Sequence, residues 1–273
     1  MIKSACERYH DRVASIYDEM YRSPYWDFYQ ELTWHNLKKY LPRLSGKRVL
    51  DLGGGTGYWA LRLAKSGYEV ALVDISQQMI EAARRKAEQA GLSNRITFLK
   101  SDISDSAHDG IGLPSFPPAH FDLAIAQGDS LSCCANPPRA VKEVARVLKK
   151  DGLFIASVDN KFGGLRVFIE QNKIEELEKL VRTGQTHWFT KEKTEQFPLT
   201  YFTPDELRKL FIAHGFEVIS LIGKPVLPLR PDSRLLENKE TFKQLFQLEL
   251  QLQSEECLLG SAPHLEIAVR KKQ

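Results

Sequence analysis

The amino-acid sequence predicts an α/β protein built around a parallel, doubly wound sheet. Short apolar runs alternate with helical patterns between residues 47 and 160, which is typical of such sheets. Runs such as 123–126 and 153–156 are almost continuously apolar, as expected for strands that are buried on both faces. In addition, a glycine-rich turn links the first predicted strand directly to a helix.

Five strands and three helices are predicted in this central region. The strands are expected at residues 47–52, 69–75, 95–102, 121–128 and 153–159. The helices are expected at residues 58–65, 76–91 and 136–150. Ser76 and Asn136 stand where these helices begin, and their side chains are of the kind that accept hydrogen bonds from the N–H groups of a first helical turn. Gly91 stands where a left-handed C-terminal cap belongs.

The C-terminal part is predicted to complete the sheet with two more strands. Residues 184–200 show no clear period. Around them we expect a helix at 165–183, a helix from Thr203 to residue 214, a strand at 216–223, a helix at 238–256 and a strand at 264–270. Thr203, Pro204 and Glu206 form a strong helix start, because they supply a cap, a rigid first turn and a favourable charge.

Composition restricts the classes of protein. The chain has 273 residues, of which 42% are apolar and 27% charged, as in soluble globular proteins. Its formal charge is only +3, which gives no sign of a polyanionic partner. No segment has the apolar length of a membrane span, and residues 1–12 lack the core of a signal peptide. We therefore expect a cytoplasmic monomer or homodimer with no membrane partner.

The turn after the first strand predicts a nucleotide-type ligand. Residues 49–57 read VLDLGGGTG, so the glycine pattern is G-x-G-x-G. The dinucleotide fingerprint requires a third glycine at position 58, where this chain has Tyr58, and no phosphate-binding Gly-Lys-Ser/Thr sequence occurs anywhere. Asp51 precedes the turn, and its carboxylate would repel a pyrophosphate but attract a cationic ligand.

At this point the chain resembles the class I, Rossmann-like methyltransferases that use S-adenosylmethionine. Their first motif, (V/L)LD(L/I)GxGxG, is matched throughout by residues 49–57. Further matches in family order are VDIS at 73–76, SDI at 101–103, FDL at 121–123, RVLKKDG at 146–152 and the helix-strand unit at 201–219. The resemblance implies a seven-stranded, mostly parallel sheet whose last strand is antiparallel.

The resemblance also implies the domain organisation. We expect one methyltransferase domain over residues 1–273, with its cofactor-binding core at 45–160. Residues 1–44 are expected to form a helical cover, and the insertions at 161–200 and 224–262 are expected to act as lids over the substrate.

The resemblance assigns S-adenosylmethionine as cofactor and S-adenosylhomocysteine as product. Asp74 is expected to accept the ribose hydroxyls and Asp102 the adenine amino group, with Ile75 and Ile103 on the faces of the ring. Met79 is expected either beside the adenosine or in the core. The full set of expected cofactor-binding residues is Asp51, Gly53, Gly54, Gly55, Gly57, Asp74, Ile75, Met79, Asp102, Ile103, Gln127, Gly128, Tyr17 and Tyr29.

Catalytic residues are left unassigned, because methyl transfer from a sulfonium requires alignment and a dry pocket more than a protein nucleophile. Side chains expected near the acceptor are Asp129, Ser130, Asp159, Asn160 and His187. No metal site is predicted. The adjacent Cys133 and Cys134 leave a thiophilic acceptor open as an alternative to simple packing.

These observations predict a methyltransferase that acts on a small molecule. Methylation of tRNA or another RNA is the first alternative, although basic runs such as 84–86 have the pattern of solvated helix faces. A dinucleotide-dependent oxidoreductase is the second, and a non-catalytic protein that holds the adenosyl ligand is the third. A blocked mouth on the methyl-facing side would favour such a non-catalytic protein.

Overall fold

The computed structural model describes residues 3–41, 47–103, 113 and 116–272. The predicted boundary between residues 44 and 45 lies outside these ranges. At the N-terminus the chain forms three helices, α1 (Ala5–Val13), α2 (Tyr17–Met20) and α3 (Pro24–Lys38). Ser4 and Ser23 cap α1 and α3 through side-chain acceptors, which explains where these helices begin.

The central region alternates strands and helices as predicted. Its elements are β1 (Arg48–Leu52), α4 (Tyr58–Lys65), β2 (Glu69–Asp74), α5 (Gln77–Gln89), β3 (Ile96–Lys100), β4 (Phe121–Ala126), α6 (Pro137–Val147) and β5 (Leu148–Asp159). The boundary between α6 and β5 differs from the prediction. The helix ends at Val147 rather than residue 150, and β5 begins at once, because Leu148 already pairs with Phe121 of β4.

The C-terminal region contains more secondary structure than the sequence pattern predicts. Its elements are α7 (Lys161–Glu170), α8 (Ile174–Thr183), β6 (Gln185–Trp188), β7 (Phe197–Thr200), α9 (Pro204–Ala213), β8 (Phe216–Lys224), α10 (Lys239–Leu252) and β9 (His264–Lys271). The single helix predicted at 165–183 is broken where Asn172 adopts a φ of 55°. The segment without a clear period contains the two-stranded antiparallel hairpin β6–β7.

Seven strands form the sheet in the order β3-β2-β1-β4-β5-β9-β8. Pairing is parallel from β3 through β5, whereas β9 is antiparallel to both β5 and β8, as the family resemblance implied. From β1 the chain adds β2 and β3 on one side and then β4 and β5 on the other. This change of side leaves a crevice between β1 and β4 at the carboxyl ends of the strands, which is where ligands bind in open α/β sheets. His264, the first residue of β9, reaches the same edge because its strand runs the opposite way.

Helices cover both faces of the sheet, and each face has its own apolar cluster. One cluster includes α6 and α9, and the other includes α4 and α5. Helix α1 packs against α5, while α10 packs against α3 through Phe28, Phe242 and Phe246. Among the described helices, none combines the length and apolar character needed to cross a membrane.

Candidate active site

The glycine turn between β1 and α4 is folded tightly onto β2. The Gly53 and Gly54 N–H groups donate to the Val73 carbonyl at 2.8 and 3.2 Å. Gly53, Gly55 and Gly57 have φ values of 66°, 53° and 85°, a left-handed region that favours glycine. The turn therefore holds its backbone in one shape before any ligand arrives.

Two of these glycines are also required by their surroundings. A Cβ atom on Gly53 would lie 2.5 Å from the Cβ of Ser130, and one on Gly57 would lie 2.9 Å from the Cβ of Ala83. Gly55 differs, because nothing lies within 4 Å of its Cβ position. Gly55 therefore faces open space, as a backbone that cradles a ligand must.

Asp74 lies at the end of β2 with its carboxylate directed to the turn. It accepts the Gly55 N–H and the Ser76 N–H, both at 2.8 Å. A carboxylate has about four acceptor positions, so further hydrogen bonds are available for a ligand. Burial raises the pKa of Asp74, and the two N–H groups act in the opposite direction.

Asp51 lies beneath the turn rather than beside an opening. Its side chain is 1% exposed, and one carboxylate oxygen has no hydrogen-bond partner in the described structure. Burial, followed by the nearby charge of Asp74, raises the pKa of Asp51 to about 7. Asp51 lines neither of the cavities described below.

Two cavities meet at the carboxyl edge of the sheet. The larger has a volume of about 640 Å³, within the usual range for small-molecule sites. The smaller has a volume of about 230 Å³. Both are lined by Gly53, Gly55, Gln127, Gly128, Tyr17 and Cys133, so they form two arms of one site.

The structure brings together most of the residues that the sequence predicts for the cofactor. Five line the smaller cavity alone, namely Asp74, Ile75, Met79, Asp102 and Ile103. Five line both cavities, namely Gly53, Gly55, Gln127, Gly128 and Tyr17. Gly54 and Tyr29 line only the larger cavity. Asp51 and Gly57 line neither cavity.

The roof of the site combines α1 with the hairpin β6–β7. Arg12 pairs with Glu195 at 2.7 Å, just before the second hairpin strand. Tyr9 packs against Trp188 and Phe197 of the hairpin with ring centroids 5.6 and 5.8 Å apart. On the other side, Asp11 of α1 accepts the hydroxyl of Ser76 at 2.6 Å, which ties the roof to the start of α5.

The first insertion lies at the site, whereas the second does not. Trp188, Phe197 and Leu199 of the first insertion line the larger cavity. No residue of 224–262, a segment described in full, lines either cavity. The second insertion differs from the expected lid because its apolar residues pack on α3, and the Asn36 amide also donates to Gln253 at 3.0 Å.

Three of the side chains expected near the acceptor contact other parts of the protein. Ser130 lines the smaller cavity and donates its hydroxyl to the Leu52 carbonyl at 3.0 Å. Asn160 is completely buried and donates to the carbonyls of Leu259 and Ala262 at 2.8 and 2.7 Å. His187 lies 2.9 Å from the ammonium of Lys179 and lines neither cavity.

The remaining two candidates lie together with a histidine that the sequence pattern did not single out. Asp129, Asp159 and His264 all line the larger cavity. The Nδ1 atom of His264 is 2.9 Å from Asp129 and 4.0 Å from Asp159. His264 opens the last strand, so only the antiparallel pairing with β5 places it beside Asp159.

A buried lysine also escaped the sequence analysis. Lys224, at the end of β8, is completely buried and donates to Glu266 at 2.6 Å and to Gln127 at 3.1 Å. Its ammonium lies 4.7 Å from the centre of the Tyr29 ring. This network fixes Gln127 and Tyr29, two of the expected ligand-binding residues, at the inner end of the larger cavity.

Cys133 and Cys134 both line the smaller cavity, and Cys133 also reaches the larger one. Burial raises the pKa of Cys133 well above its ordinary value, so its thiol stays protonated near neutral pH. Cys134 belongs to the main apolar cluster. These surroundings are those of packing thiols rather than of reactive thiolates.

Comparison with known proteins gives a consistent picture. Residues 49–152 match the family described as "Methyltransferase domain". A Geobacillus sp. (strain WCH70) protein named as a methyltransferase is 31% identical over 156 residues, 56% of this chain and 58% of that protein. The tRNA 5-carboxymethoxyuridine methyltransferase of Escherichia coli (strain K12) is 30% identical over 136 residues, 49% of each chain. The chain thus spans about half the length of these relatives.

Solved structures resemble the whole fold. A structure from Methanosarcina mazei described as a SAM-dependent methyltransferase has a TM-score of 0.61 and 22% identity, covering 87% of this chain and 97% of the other. The CcbJ methyltransferase from Streptomyces caelestis has a TM-score of 0.62 and 16% identity, covering 100% of both chains. At these identities, the similarity concerns the fold alone.

Proposed function

We propose that this chain, which belongs to the class I S-adenosylmethionine-dependent methyltransferase family, transfers a methyl group to a small-molecule acceptor and releases S-adenosylhomocysteine. The observation that carries the proposal is the pair of cavities meeting at the glycine turn. One arm offers the side chains expected for adenosine, and the other leaves room for an acceptor.

The donor set fits S-adenosylmethionine. Asp74 retains acceptor positions for ribose hydroxyls, and Asp102 lines the same cavity for the adenine amino group. Ile75 and Ile103 supply apolar surface for the ring. The open space at Gly55 admits a ligand close to the backbone. When bound, S-adenosylmethionine supplies an activated methyl group on a cationic sulfur.

The chain's own part in the reaction is to align the reactants and to exclude water. The buried network around Lys224 fixes Gln127 beside the place where the two cavities meet. Tyr17 and Tyr29 present aromatic surface there, and such surface attracts a cationic group. The roof of α1 and the hairpin β6–β7 covers this point, which favours in-line displacement in a dry pocket.

RNA methylation remains a second candidate because one relative is named as a tRNA methyltransferase. The matched part covers 49% of that protein, so the residues that bind its methyl acceptor need not be present in this chain. A dinucleotide-dependent oxidoreductase receives less support, because Tyr58 stands at the third glycine position. A non-catalytic regulator with a blocked mouth is disfavoured by the cavity of about 640 Å³.

The proposal is tested by incubating the protein with methyl-labelled S-adenosylmethionine and either a metabolite pool or an RNA pool. We expect label in the metabolite fraction. Label in RNA alone would replace the small-molecule acceptor by RNA, and binding of NAD in preference to S-adenosylhomocysteine would overturn the assignment.

Asp74→Ala is the matched variant for this experiment. It should weaken S-adenosylhomocysteine binding by more than ~1 kcal/mol, as expected for loss of a charged hydrogen-bond acceptor. The exposed Asp232→Asn serves as control, since Asp232 lies outside both cavities. Unchanged affinity of Asp74→Ala would remove Asp74 from the site.

A further inference from the structure

Asp129, His264 and Asp159 form a compact cluster at the inner wall of the larger cavity. They come from three different elements, namely the end of β4, the start of β9 and the end of β5. One carboxylate oxygen of each aspartate and one ring nitrogen of the histidine all lie within 4.8 Å of one another. One oxygen of Asp129 is buried and has no hydrogen-bond partner in the described structure. The cluster therefore has unused capacity toward a ligand in the cavity.

The imidazole of His264 lies beside Asp129 at ion-pair distance. Its Nδ1 atom is 2.9 Å from Asp129 but has no hydrogen-bond partner in the described structure. His264 also lines the larger cavity. An opposite charge at this distance stabilises the protonated imidazole, so the ring is placed to accept a proton.

Five titratable side chains lie around this imidazole. The titratable neighbours are Asp129 after β4, Asp159 at the end of β5, Lys224 at the end of β8, Glu266 on β9 and Tyr29 on α3. Lys224 and Glu266 pair with each other, so the two aspartates leave an excess of negative charge beside His264. Burial lowers the pKa of His264, but the charge of Asp129 outweighs it and raises the pKa above its ordinary value.

Asp159 shows the consequence of this excess. Burial and the neighbouring charge of Asp129 raise the pKa of Asp159 to about 7. Two carboxylates this close both ionise readily only when a cation lies between or beside them. A cationic ligand in the larger cavity would therefore be stabilised by Asp159 and Asp129.

Aromatic rings form much of the remaining wall of the cavity and come from α1, α2, α3, α4 and the hairpin. Asp27 lines it as well, whereas Asp18 is paired with Lys86 and the lining cation Arg22 is paired with Glu19. Aromatic faces and carboxylates together attract ammonium groups. A hydroxyl acceptor is disfavoured, because the negative charge that develops on its oxygen would face Asp129 and Asp159.

We propose that the methyl acceptor is an amine, held as an ammonium ion beside Asp129 and Asp159, and that His264 removes its proton. This rests on the proposed methyltransferase function and specifies the substrate class of the same site. Asp129 acts as a positioning residue, because its carboxylate lies 2.9 Å from Nδ1 and stabilises the protonated ring.

The reaction balances as follows in atoms and electrons. An R–NH₃⁺ group gives one proton to the neutral Nε2 of His264 and becomes R–NH₂. The nitrogen lone pair forms the new N–CH₃ bond while the C–S bond of the donor breaks and its electron pair stays on sulfur. The product R–NH₂⁺–CH₃ remains a cation beside the two carboxylates, and the proton on His264 passes to solvent.

The first experiment compares matched acceptors. The wild-type protein is given labelled S-adenosylmethionine with 2-phenylethylamine, tryptamine or ethanolamine, and in parallel with 2-phenylethanol, tryptophol or ethylene glycol. We expect methylation of at least one amine and of none of the alcohols. Methylation of alcohols alone, or of no amine, contradicts the proposal.

The second experiment tests His264 without relying on activity alone. His264→Gln should bind S-adenosylhomocysteine within twofold of the wild type and lose at least about 100-fold in kcat, the range expected for general-base catalysis. His214→Gln is the control, since His214 closes α9 and lines neither cavity. Added imidazole should partly restore His264→Ala, which a merely structural role for the ring would not allow.

The pH profile separates this proposal from a structural role. The base form of His264 appears as pH rises through its raised pKa, so wild-type kcat should increase above pH 6.5 and His264→Gln should lose that increase. An NMR titration of the His264 ring in the complex with S-adenosylhomocysteine gives the same pKa without turnover. A flat wild-type profile, or a ring that does not titrate in that range, overturns the proposal.

A divalent cation bound by the same three side chains is the competing outcome. Activity that requires added Mg²⁺ or Mn²⁺ and disappears with EDTA would replace the proton-accepting role by metal binding. Failure of S-adenosylhomocysteine to bind would instead remove the proposed function itself. The two failures are therefore distinguishable.

Discussion

At the scale of single residues, the glycine turn is constrained by both conformation and space. Gly53 and Gly67 both have positive φ, 66° and 95°, but only Gly53 faces a close neighbour, the Cβ of Ser130. Gly67→Ala therefore carries only the cost of a left-handed alanine, roughly 1–2 kcal/mol. Gly53→Ala adds the clash at 2.5 Å on top of that cost.

We expect the free energy of unfolding to fall further for Gly53→Ala than for Gly67→Ala, by about 1–3 kcal/mol, the usual cost of overpacking. Urea unfolding of both variants measures this difference. Equal losses would show that Ser130 moves aside without cost and that the turn is less rigid than its contacts indicate.

Sequence patterns placed some residues at the cavities and missed others. Asp74 and Gln127 could be placed there because Asp74 ends β2 and Gln127 follows β4, and the ends of parallel strands meet at one edge. His264 was not, since its strand is antiparallel and presents its first residue, rather than its last, to that edge. The burial of Lys224 was also hidden, because its partner Glu266 lies 42 residues further along the chain.

At the scale of elements, α1 and the hairpin β6–β7 behave as one roof. They share the Arg12–Glu195 ion pair and the packing of Tyr9 on Trp188 and Phe197. The hairpin was not visible in the sequence pattern, because four-residue strands are too short to show a period. The seven main strands were visible because each contains a run rich in apolar residues.

This roof gives an element-scale prediction. S-adenosylhomocysteine should slow amide hydrogen exchange in α1 and in β6–β7 together, since both border the cavities. Helix α10 lines neither cavity and should exchange at an unchanged rate. Protection of α10 without protection of α1 would mean that the second insertion, and not the N-terminal cover, closes over the ligand.

At the scale of the whole molecule, buried acids connect stability to pH. The pKa of Asp51 is raised from 3.8 to about 7 in the folded protein. A folded-state pKa above the unfolded value means that the native state holds the proton more tightly. The stabilisation is therefore complete below pH 3.8 and is lost as pH rises toward 7.

The free energy of unfolding should therefore fall less steeply between pH 5 and 7 in Asp51→Asn than in the wild type. The difference in slope should correspond to at most one proton bound by the native state. Asp232→Asn, whose side chain is 73% exposed, should leave the slope unchanged. Urea unfolding at several pH values measures both slopes. An identical slope in Asp51→Asn and the wild type would show that Asp51 is ionised in the native protein.

We predict that the two joined cavities bind an adenosyl ligand and not a dinucleotide. Isothermal titration calorimetry of the wild-type protein with S-adenosylhomocysteine and, separately, with NAD tests it most directly. We predict clear binding of S-adenosylhomocysteine and weaker or undetectable binding of NAD. Tighter binding of NAD would show that the cavities take a dinucleotide instead.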